Sequence, residues 1–277
     1  MPIEAETITP ASFAGQTLEK SCALEVRQGN RVLTLGDFFH LDGTVGSNPD
    51  DTEVVVIGDL RMVKRIGMGM DGGRMTVIGD AGMYLGAEMR SGRILVKGSV
   101  DAWAGAEMSG GNIQIEGDAG DYLCAGYPGS KHGMRGGRVF VSGNAGAEMA
   151  SHMHRGFIAV KGHVGDHAAA RMSGGTIMIG GAVGQRLGLG ATRGMVLVMG
   201  RAEAMLPTYR FGGVSAREFV FYYVRYLKSR RPDHILNELG PDERWVKYMG
   251  DLAEGQPGME VYLRASLNMH LVPSGWP

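Results

Sequence analysis

Eight glycines recur at a nearly constant spacing through the middle of the chain, and each closes a short apolar run. The intervals between them are 21, 19, 19, 26, 19, 19 and 19 residues. A fixed period of about 20–50 residues is typical of repeat architectures, in which each repeat packs on its neighbours. Glycine supplies 46 of 277 residues without recurring at every third position, which excludes a collagen-like chain. These anchor glycines are Gly58, Gly79, Gly98, Gly117, Gly143, Gly162, Gly181 and Gly200.

Apolar residues stand two and four positions before seven of the anchor glycines. The pairs are Met75/Val77, Ile94/Val96, Ile113/Ile115, Val139/Val141, Ile158/Val160, Ile177/Ile179 and Val196/Val198. Alternation with a period of two predicts a short strand with one buried face. Seven such strands at one spacing predict a parallel β-helix, with one coil per repeat and roughly 4.8 Å between coils.

Three further columns of equivalent residues support this stacking. The first column is rich in methionine, and the second consists of small residues. The third is mostly polar and directly follows the anchor glycine, and polar residues at that place predict an exposed turn. The anchor glycines themselves are expected to supply positive-φ corners. The columns are Met70, Met89, Met108, Met134, Met153, Met172 and Ala191; Gly86, Gly105, Cys124, Ala150, Ala169 and Gly188; and Asp80, Ser99, Asp118, Asn144, His163 and Ala182.

The segment Gly67, Gly69, Gly72 has the G-x-G-x-x-G spacing of a dinucleotide-binding turn. Such a turn follows a strand and opens into a helix. Here another predicted strand follows, and similar glycine-rich segments recur in every coil. We interpret the motif as a corner between two coils.

The repeat divides the chain into three parts. Residues 1–50 are expected to form an N-terminal cap and irregular first coils, residues 51–204 the β-helix, and residues 205–277 a C-terminal helix and strand extension. The 26-residue interval contains a seven-residue insertion over 127–133. Insertions in solenoids become loops on one face, and two interpretations stay open: a contact loop or a tolerated bulge.

The extension is predicted to begin with a helix. Ser215 and Glu218 have the spacing of a capping box, and apolar residues follow with helical periodicity until Pro232. Helical segments are expected over residues 216–230, 234–239 and 243–249. The final GDLAEGQPGMEVYLR predicts a glycine-rich turn and a last strand.

Composition excludes several classes. The formal net charge of −1 gives no global field for nucleic acid, and two cysteines do not make a disulfide framework. No apolar run reaches about 18 residues, so no membrane span is expected. The N-terminal MPIEAETITP does not resemble a secretory signal, so a cytoplasmic location is expected.

Candidate chemical groups each have a simpler interpretation. His152, His154, His163 and His167 form a histidine cluster with metal-ligand chemistry, but the first two flank Met153 and should point outward. Cys124 is a candidate nucleophile, or a small buried side chain.

The carboxylates of Asp80, Asp118, Glu88 and Glu107 resemble those of polysaccharide-cleaving β-helices, yet recur once per coil as exposed residues would. Arg74, Arg93 and Arg138 share a column that suits an anionic ligand or partner, or a solvated strand edge.

The units GGRMTVIGDAGMYLGAEM, SGRILVKGSVDAWAGAEMSGG and GGNIQIEGDAGDYLCAG resemble the C subunit of formylmethanofuran dehydrogenase. They also resemble the GXGXG domain at the C-terminus of the glutamate synthase large subunit. The resemblance covers about residues 50–200, and GDLAEGQPG fits the tail of the first family. It implies an all-β fold: a right-handed single-stranded parallel β-helix, the GXGXG solenoid, with 19-residue coils and a helical C-terminal extension.

The resemblance also implies a structural subunit without catalytic, cofactor or metal residues of its own. Its partners would be an amidohydrolase-like A subunit, a B subunit and a formyltransferase D subunit, as in the bacterial formyltransferase/hydrolase complex of one-carbon metabolism. The formyl carrier of that complex is methylofuran, and that of the dehydrogenase is methanofuran.

Two classes of function remain open. The first is a structural subunit of a formyltransferase/hydrolase or of a molybdenum or tungsten dehydrogenase. Its expected partner or carrier contacts are Tyr127, Lys131, His132, His152, His154, His163, His167, Arg74, Arg93 and Arg138. The second is an autonomous β-helical enzyme, such as a polysaccharide lyase or an acyltransferase, which would be active without partners.

Overall fold

The computed structural model describes residues 1–216, 218–230, 243–255 and 258–276. Its strands are β1 (Ile3–Glu4), β2 (Glu25–Gln28), β3 (Arg31–Thr34), β4 (Glu53–Ile57), β5 (Val63–Lys64), β6 (Arg74–Ile78), β7 (Arg93–Val96), β8 (Asn112–Ile115), β9 (Arg138–Val141), β10 (Phe157–Val160), β11 (Ser173–Ile179), β12 (Arg193–Val198), β13 (Arg210–Ala216), β14 (Arg244–Gly250) and β15 (Gly258–Arg264). Its α-helices are α1 (Pro10–Phe13), α2 (Leu18–Cys22), α3 (Glu218–Arg230) and α4 (Ala265–Asn268). Short 3-10 helices occupy Leu35–Asp37, Pro49–Asp51, Leu252–Glu254 and Met269–Leu271.

Eight strands of the repeat region form a parallel stack within an 11-stranded sheet. They pair in the order β4, β6, β7, β8, β9, β10, β11, β12. Val77 lies opposite Val96, and Val96 lies opposite Ile115, so these partners are 19 residues apart in the sequence. Ile113 pairs with Val139 across the 26-residue interval. The prediction of a strand-rich chain with a parallel sheet and few helices is confirmed.

A second ladder of parallel bridges runs beside the strands, two residues after each anchor glycine. Between the two ladders, polar side chains accept the backbone N–H of the next repeat. Ser99 N–H donates to Asp80 Oδ1 at 2.8 Å, and Asn144 N–H donates to Asp118 Oδ1 at 2.7 Å. Side chains of the polar column therefore tie successive repeats together at an exposed turn. The bridged residues are Leu60, Ala81, Val100, Ala119, Ala145, Val164, Val183 and Ala202.

The anchor glycines stand where the backbones of successive repeats approach closely. A Cβ on Gly98 would lie 2.4 Å from the carbonyl oxygen of Gly79, and one on Gly200 would lie 2.3 Å from that of Gly181. Of the eight, Gly58 and Gly79 have positive φ and the other six do not. The expectation of positive-φ corners is therefore wrong for those six, because close approach, not backbone handedness, requires glycine there.

The methionine column lines the core. The six methionines are at most 1% exposed, and Ala191 ends the series. Each methionine carbonyl accepts a backbone N–H from the next repeat; Ser109 N–H donates to Met89 O at 2.8 Å. The Met89 side chain lies over Gly111, where a Cβ would approach Cε to 2.7 Å. A glycine at the same place in five repeats thus leaves room for the flexible thioether of the previous repeat; these are Gly111, Gly137, Gly156, Gly175 and Gly194.

The N-terminal strands lie in a separate four-stranded sheet with the order β3-β2-β1-β5. β2 and β3 form an antiparallel hairpin, and β1 pairs antiparallel with β2. The strand-like segments near the N-terminus therefore do not join the parallel stack. The segment at Gly67, Gly69 and Gly72 leads into strand β6 and not into a helix, so it lacks the context of a dinucleotide-binding turn.

The C-terminal strands extend the 11-stranded sheet, but they do not pair in the order of the chain. β15, the expected last strand, pairs parallel with β12, while β14 pairs antiparallel with both β13 and β15. The helix expected over 243–249 is wrong: Arg244–Gly250 is a strand, because both of its edges find partners and Trp245 is buried. The segment 234–239 and Pro232 lie outside the described residues.

Helix α3 begins at Glu218, two residues later than predicted. Ser215 and Ala216 belong to β13 and pair with β14, so the predicted start of the helix lies in a strand. Phe219, Val220 and Tyr223 of α3 pack on the outer face of the sheet. That face is formed by Phe140, Phe157, Ala159, Met178, Leu197 and Tyr262. None of the described helices is long and apolar enough to cross a membrane.

Candidate functional site

Most repeats contain three left-handed residues at alternate positions, as in Tyr84, Gly86 and Glu88, and the repeat with the insertion contains two, Tyr122 and Cys124. All fourteen non-glycine residues with positive φ in the described ranges belong to these turns. The middle position is the small buried column. The outer positions, which we call the turn face, are Arg65, Tyr84, Trp103, Tyr122, Glu148, His167 and Arg186, and Gly69, Glu88, Glu107, His152, Arg171 and Gly190.

Backbone hydrogen bonds hold these turns in a conformation that costs about 1–2 kcal/mol per non-glycine residue. Tyr84 N–H donates to Ala102 O in the next repeat at 3.0 Å, and Gly86 N–H donates to Ile66 O in the previous repeat at 2.9 Å. The outer residues thus bond forward and the middle residue bonds backward. Stacking therefore stabilises a turn that an isolated repeat would not adopt.

Aromatic rings occupy three consecutive places on the turn face. Trp103 and Tyr122 are stacked, with ring centroids 4.2 Å apart and planes 6° from parallel. Tyr84 lies beside Trp103 at 6.2 Å. Sequence analysis missed this platform, although the 19-residue spacing of the three aromatic residues was a usable signal.

The insertion loop 127–133 is fixed on this platform by Tyr127. Its backbone N–H donates to Glu107 Oε1 at 3.2 Å, and its hydroxyl donates to Glu88 Oε1 at 3.1 Å. The Tyr127 ring lies 5.9 Å from that of Trp103. Burial, and then the Glu88 carboxylate, raise the pKa of the Tyr127 hydroxyl above its usual value. A cavity of about 240 Å³ opens between Arg65, Met68, Tyr84, Glu88 and Tyr127.

The far end of the same loop contacts the following repeat. His132 Nδ1 and His154 Nε2 are 3.0 Å apart, and His154 Nδ1 bonds to Ser173 Oγ. Lys131 is exposed beside them. The loop therefore reaches backward through Tyr127 and forward through His132.

The other predicted histidines occupy separate places. His163 belongs to the polar column and accepts Ala182 N–H on Nδ1 at 2.9 Å. His167 Nε2 lies 3.1 Å from Arg186 Nη1, within the turn face. His152 is left-handed, and burial, with Arg171 nearby, holds its pKa below the usual value. In the described ranges no group of three or more His, Cys, Asp or Glu side chains is placed to hold a metal ion.

The candidate nucleophile and carboxylates serve the packing. Cys124 is fully buried, and burial raises the pKa of its thiol, which opposes formation of the reactive thiolate. Asp80 and Asp118 accept backbone N–H groups in the polar column. Glu88 and Glu107 bond to Tyr127.

Several arginines lie along a different edge of the stack, at the turn that precedes the strand of each repeat. Arg74 lies opposite Arg93, and Asn112 lies opposite Arg138, so the predicted column is real. Arg90, Arg135 and Arg155, which sequence analysis did not single out, are exposed one or two positions after a buried methionine of the same turns. We call Arg74, Arg90, Arg93, Arg135, Arg138 and Arg155 the basic corner.

Comparisons with known proteins place the chain in a family. The sequence model of the GXGXG motif matches residues 66–219. The C subunit of the tungsten-containing formylmethanofuran dehydrogenase 2 of Methanococcus maripaludis is 35% identical over 272 residues, which cover 98% of this chain and 95% of that protein. The corresponding protein of Methanothermobacter wolfeii is 38% identical over 87 residues, which span 31% of this chain and only 32% of that protein.

A solved structure is similar over almost the whole chain. It is one chain of the formyltransferase/hydrolase complex (FhcABCD) from Methylorubrum extorquens, crystallised in complex with methylofuran. The two share 31% identity with a TM-score of 0.84, over 95% of this chain and 96% of that one. With a motif match over more than half of its residues and a relative aligned along nearly its full length, this chain belongs to the GXGXG family and is a homologue of the C subunit of formylmethanofuran dehydrogenase.

Proposed function

We propose that this chain is a non-catalytic structural subunit of a formyltransferase/hydrolase complex that handles formyl groups on methylofuran and tetrahydromethanopterin. The observation that carries the proposal is the full-length similarity, at 31% identity, to one chain of such a complex. Methylofuran would be bound by the assembled complex, and an amidohydrolase-like A subunit, a B subunit and a formyltransferase D subunit would be the partners. The cytoplasm is the proposed location.

The chemistry of the described side chains supports a structural role. The thiol of Cys124 is sealed in the core, and the repeated carboxylates are engaged in hydrogen bonds within the stack. A rigid stack of repeats offers long, preformed faces that lose little conformational entropy when partners bind. We therefore propose that the chain fixes the positions of its catalytic neighbours.

We further propose that the stack is a right-handed, single-stranded parallel β-helix with 19-residue coils. Two observations support this architecture. The paired strand residues and the paired bridge residues of successive repeats are separated by the same number of positions in the sequence. Residues 1–50 would cap its first coil, residues 51–204 would form the coils, and residues 205–277 would close the other end.

Partner contacts are proposed at the insertion loop and the histidine surface beside it. Tyr127, Lys131 and His132 lie on a loop that is fixed at both ends, which suits a specific contact better than a loosely tolerated bulge would. His152, His154, His163 and His167 continue this proposed surface. Removing residues 128–131 while keeping Tyr127 and His132 tests the loop; partners that co-purify unchanged would exclude it from the contacts.

The experiment for the proposed function is affinity purification of the tagged chain from its native source, followed by mass spectrometry. We expect formyltransferase and amidohydrolase-like subunits in fixed ratio. The isolated chain should not turn over a formyl carrier or a glycan. Robust turnover without partners would support an autonomous β-helical enzyme instead.

The second candidate is the C subunit of a molybdenum or tungsten formylmethanofuran dehydrogenase, which uses methanofuran. The 35% identity to the Methanococcus maripaludis protein over 98% of this chain favours it. Metal analysis of the purified complex separates the candidates, since molybdenum or tungsten in stoichiometric amount would identify the dehydrogenase.

A further inference from the structure

The basic corner repeats with the period of the sheet. Arg74 and Arg93 are direct neighbours across strands, and Arg138 follows one place further on, after Asn112. Neighbouring strands lie about 4.8 Å apart, so the row from Arg74 to Arg155 extends over roughly 20 Å. Arg90 and Arg135 lie in the turns that lead into these strands, three residues before Arg93 and Arg138. These arginines therefore lie in a band along the stack.

The six arginines of the basic corner are exposed and lack partners within the described ranges. None donates a side-chain hydrogen bond there, and none has a carboxylate oxygen within 4.0 Å. Other arginines do pair, as Arg61 does with Asp59 at 2.7 Å. Asp71 accepts a hydrogen bond from Ser91, and Glu53, opposite Arg74 in the strand register, forms no ion pair with the described residues. Since the whole chain carries a net charge of only −1, this is a local excess.

We propose that the basic corner docks a carboxylate-rich surface of a partner subunit. The proposal rests on the proposed function and names the chemistry of one contact. Guanidinium groups pair with carboxylates through two parallel hydrogen bonds, and a rigid backbone holds their spacing before the partner arrives. A long band fits an extended acidic surface better than a small anion, which needs donors converging on one point.

The test compares two tagged triple variants, expressed in the native source with the other subunits present. Arg74→Glu, Arg93→Glu and Arg138→Glu reverse charge at the basic corner. The matched control is Arg27→Glu, Arg31→Glu and Arg201→Glu, which makes the same charge change at exposed arginines elsewhere. We expect the control to recover partners like the wild type, and the corner variant to recover roughly tenfold less or worse, because three attractive pairs become repulsive.

Salt and folding measurements complete the test. Sodium chloride should release partners from the wild type and the control at the same concentration, and from the corner variant at a lower one. Circular dichroism melting should be similar for all three, because the substituted side chains are exposed. A folded corner variant that retains its partners at wild-type salt tolerance would overturn the proposal.

Two other outcomes identify different failures. Wild-type protein that recovers no partner subunit overturns the proposed function and this docking site with it. Calorimetric binding of inorganic phosphate to the isolated chain, lost in the corner variant while partners are retained, would replace the partner surface with a small-anion site.

Discussion

The turn face and the basic corner run along the same stack but use their polar side chains in opposite ways. On the turn face, Glu88 and Glu107 bond to Tyr127, and the neighbouring rings stack on one another. On the basic corner, the six arginines have no bonded partner among the described residues. The comparison teaches that a regular backbone can present one face that is satisfied internally and another that is left free for contact.

Replacing one central residue on each face should give the largest difference between the two faces in the free energy of unfolding. Trp103→Ala removes a buried ring stacked on Tyr122 and packed near Tyr84 and Tyr127, and should cost about 3 kcal/mol in the free energy of unfolding. Arg93→Ala removes an exposed side chain with no bonded partner in the described part of the chain, and should stay within about 0.5 kcal/mol of the wild type. Denaturant unfolding measures both; equal losses would contradict the comparison.

The backbone of the basic corner is tightly packed although its arginine side chains are exposed. A Cβ on Gly110 would lie 2.0 Å from the carbonyl oxygen of Arg90, so Gly110→Ala should destabilise the fold by about 2 kcal/mol or more. Gly69, on the turn face, has no atom within 4 Å of such a Cβ. Gly69→Ala should therefore cost only the left-handed penalty, about 1 kcal/mol. Thermal melting that ranks Gly69→Ala as the more harmful change would refute this account.

The hydroxyl of Tyr127 provides a smaller test of the turn face. Tyr127→Phe keeps the ring but leaves Glu88 without its donor, and should lower the free energy of unfolding by about 1 kcal/mol. Tyr222→Phe is the control, since Tyr222 is 68% exposed on helix α3 and should be neutral. Cleavage within the loop by trypsin at Lys131 should also accelerate in Tyr127→Phe alone; identical rates in both variants would show that this bond does not fix the loop.

The smallest expected effect is a pH dependence from His152. Its pKa is held below 6.5 by burial and by Arg171, so in the window between the folded pKa and 6.5 the unfolded chain binds more protons. Stability should therefore fall as pH falls through about 6.5 and level off below the folded pKa. His152→Asn keeps a residue that tolerates the left-handed turn and removes the titration. Unfolding curves between pH 7.5 and about 5 should be flatter for this variant, and parallel curves would rule the histidine out.

Sequence analysis predicted local features best where one residue type recurs at the same place in each repeat. The methionine column and the exposed polar column follow from spacing alone, and the structure confirms both. The single buried face holds for β6, β7 and β8, but it is wrong for β9 to β12, because α3 packs on their outer face. The resemblance to the C subunit of formylmethanofuran dehydrogenase is also confirmed. The partner and carrier contacts stay proposals, because they depend on chains other than this one.

The errors share a physical cause, which is that long-range pairing overrides local pattern. A helix was expected over residues 243–249, but two available strand edges make Arg244–Gly250 the strand β14. Ser215 fits a helix cap, yet pairs in β13 instead. Gly98 and Gly200 are required by the close approach of neighbouring backbones, which a single repeat does not contain.

By itself, the sequence determined that short strands recur, mostly every 19 residues, and stack in parallel. Alternation with a period of two indicates the strands, and the regular spacing of the glycines indicates that equivalent strands lie on one another. Only the tertiary structure decided that Tyr84, Trp103 and Tyr122 adopt left-handed turns and that Tyr127 folds back across two repeats. It also decided that arginines from several repeats lie along one edge with no bonded partner among the described residues. These features arise from hydrogen bonds and distances between repeats, and no single repeat contains them.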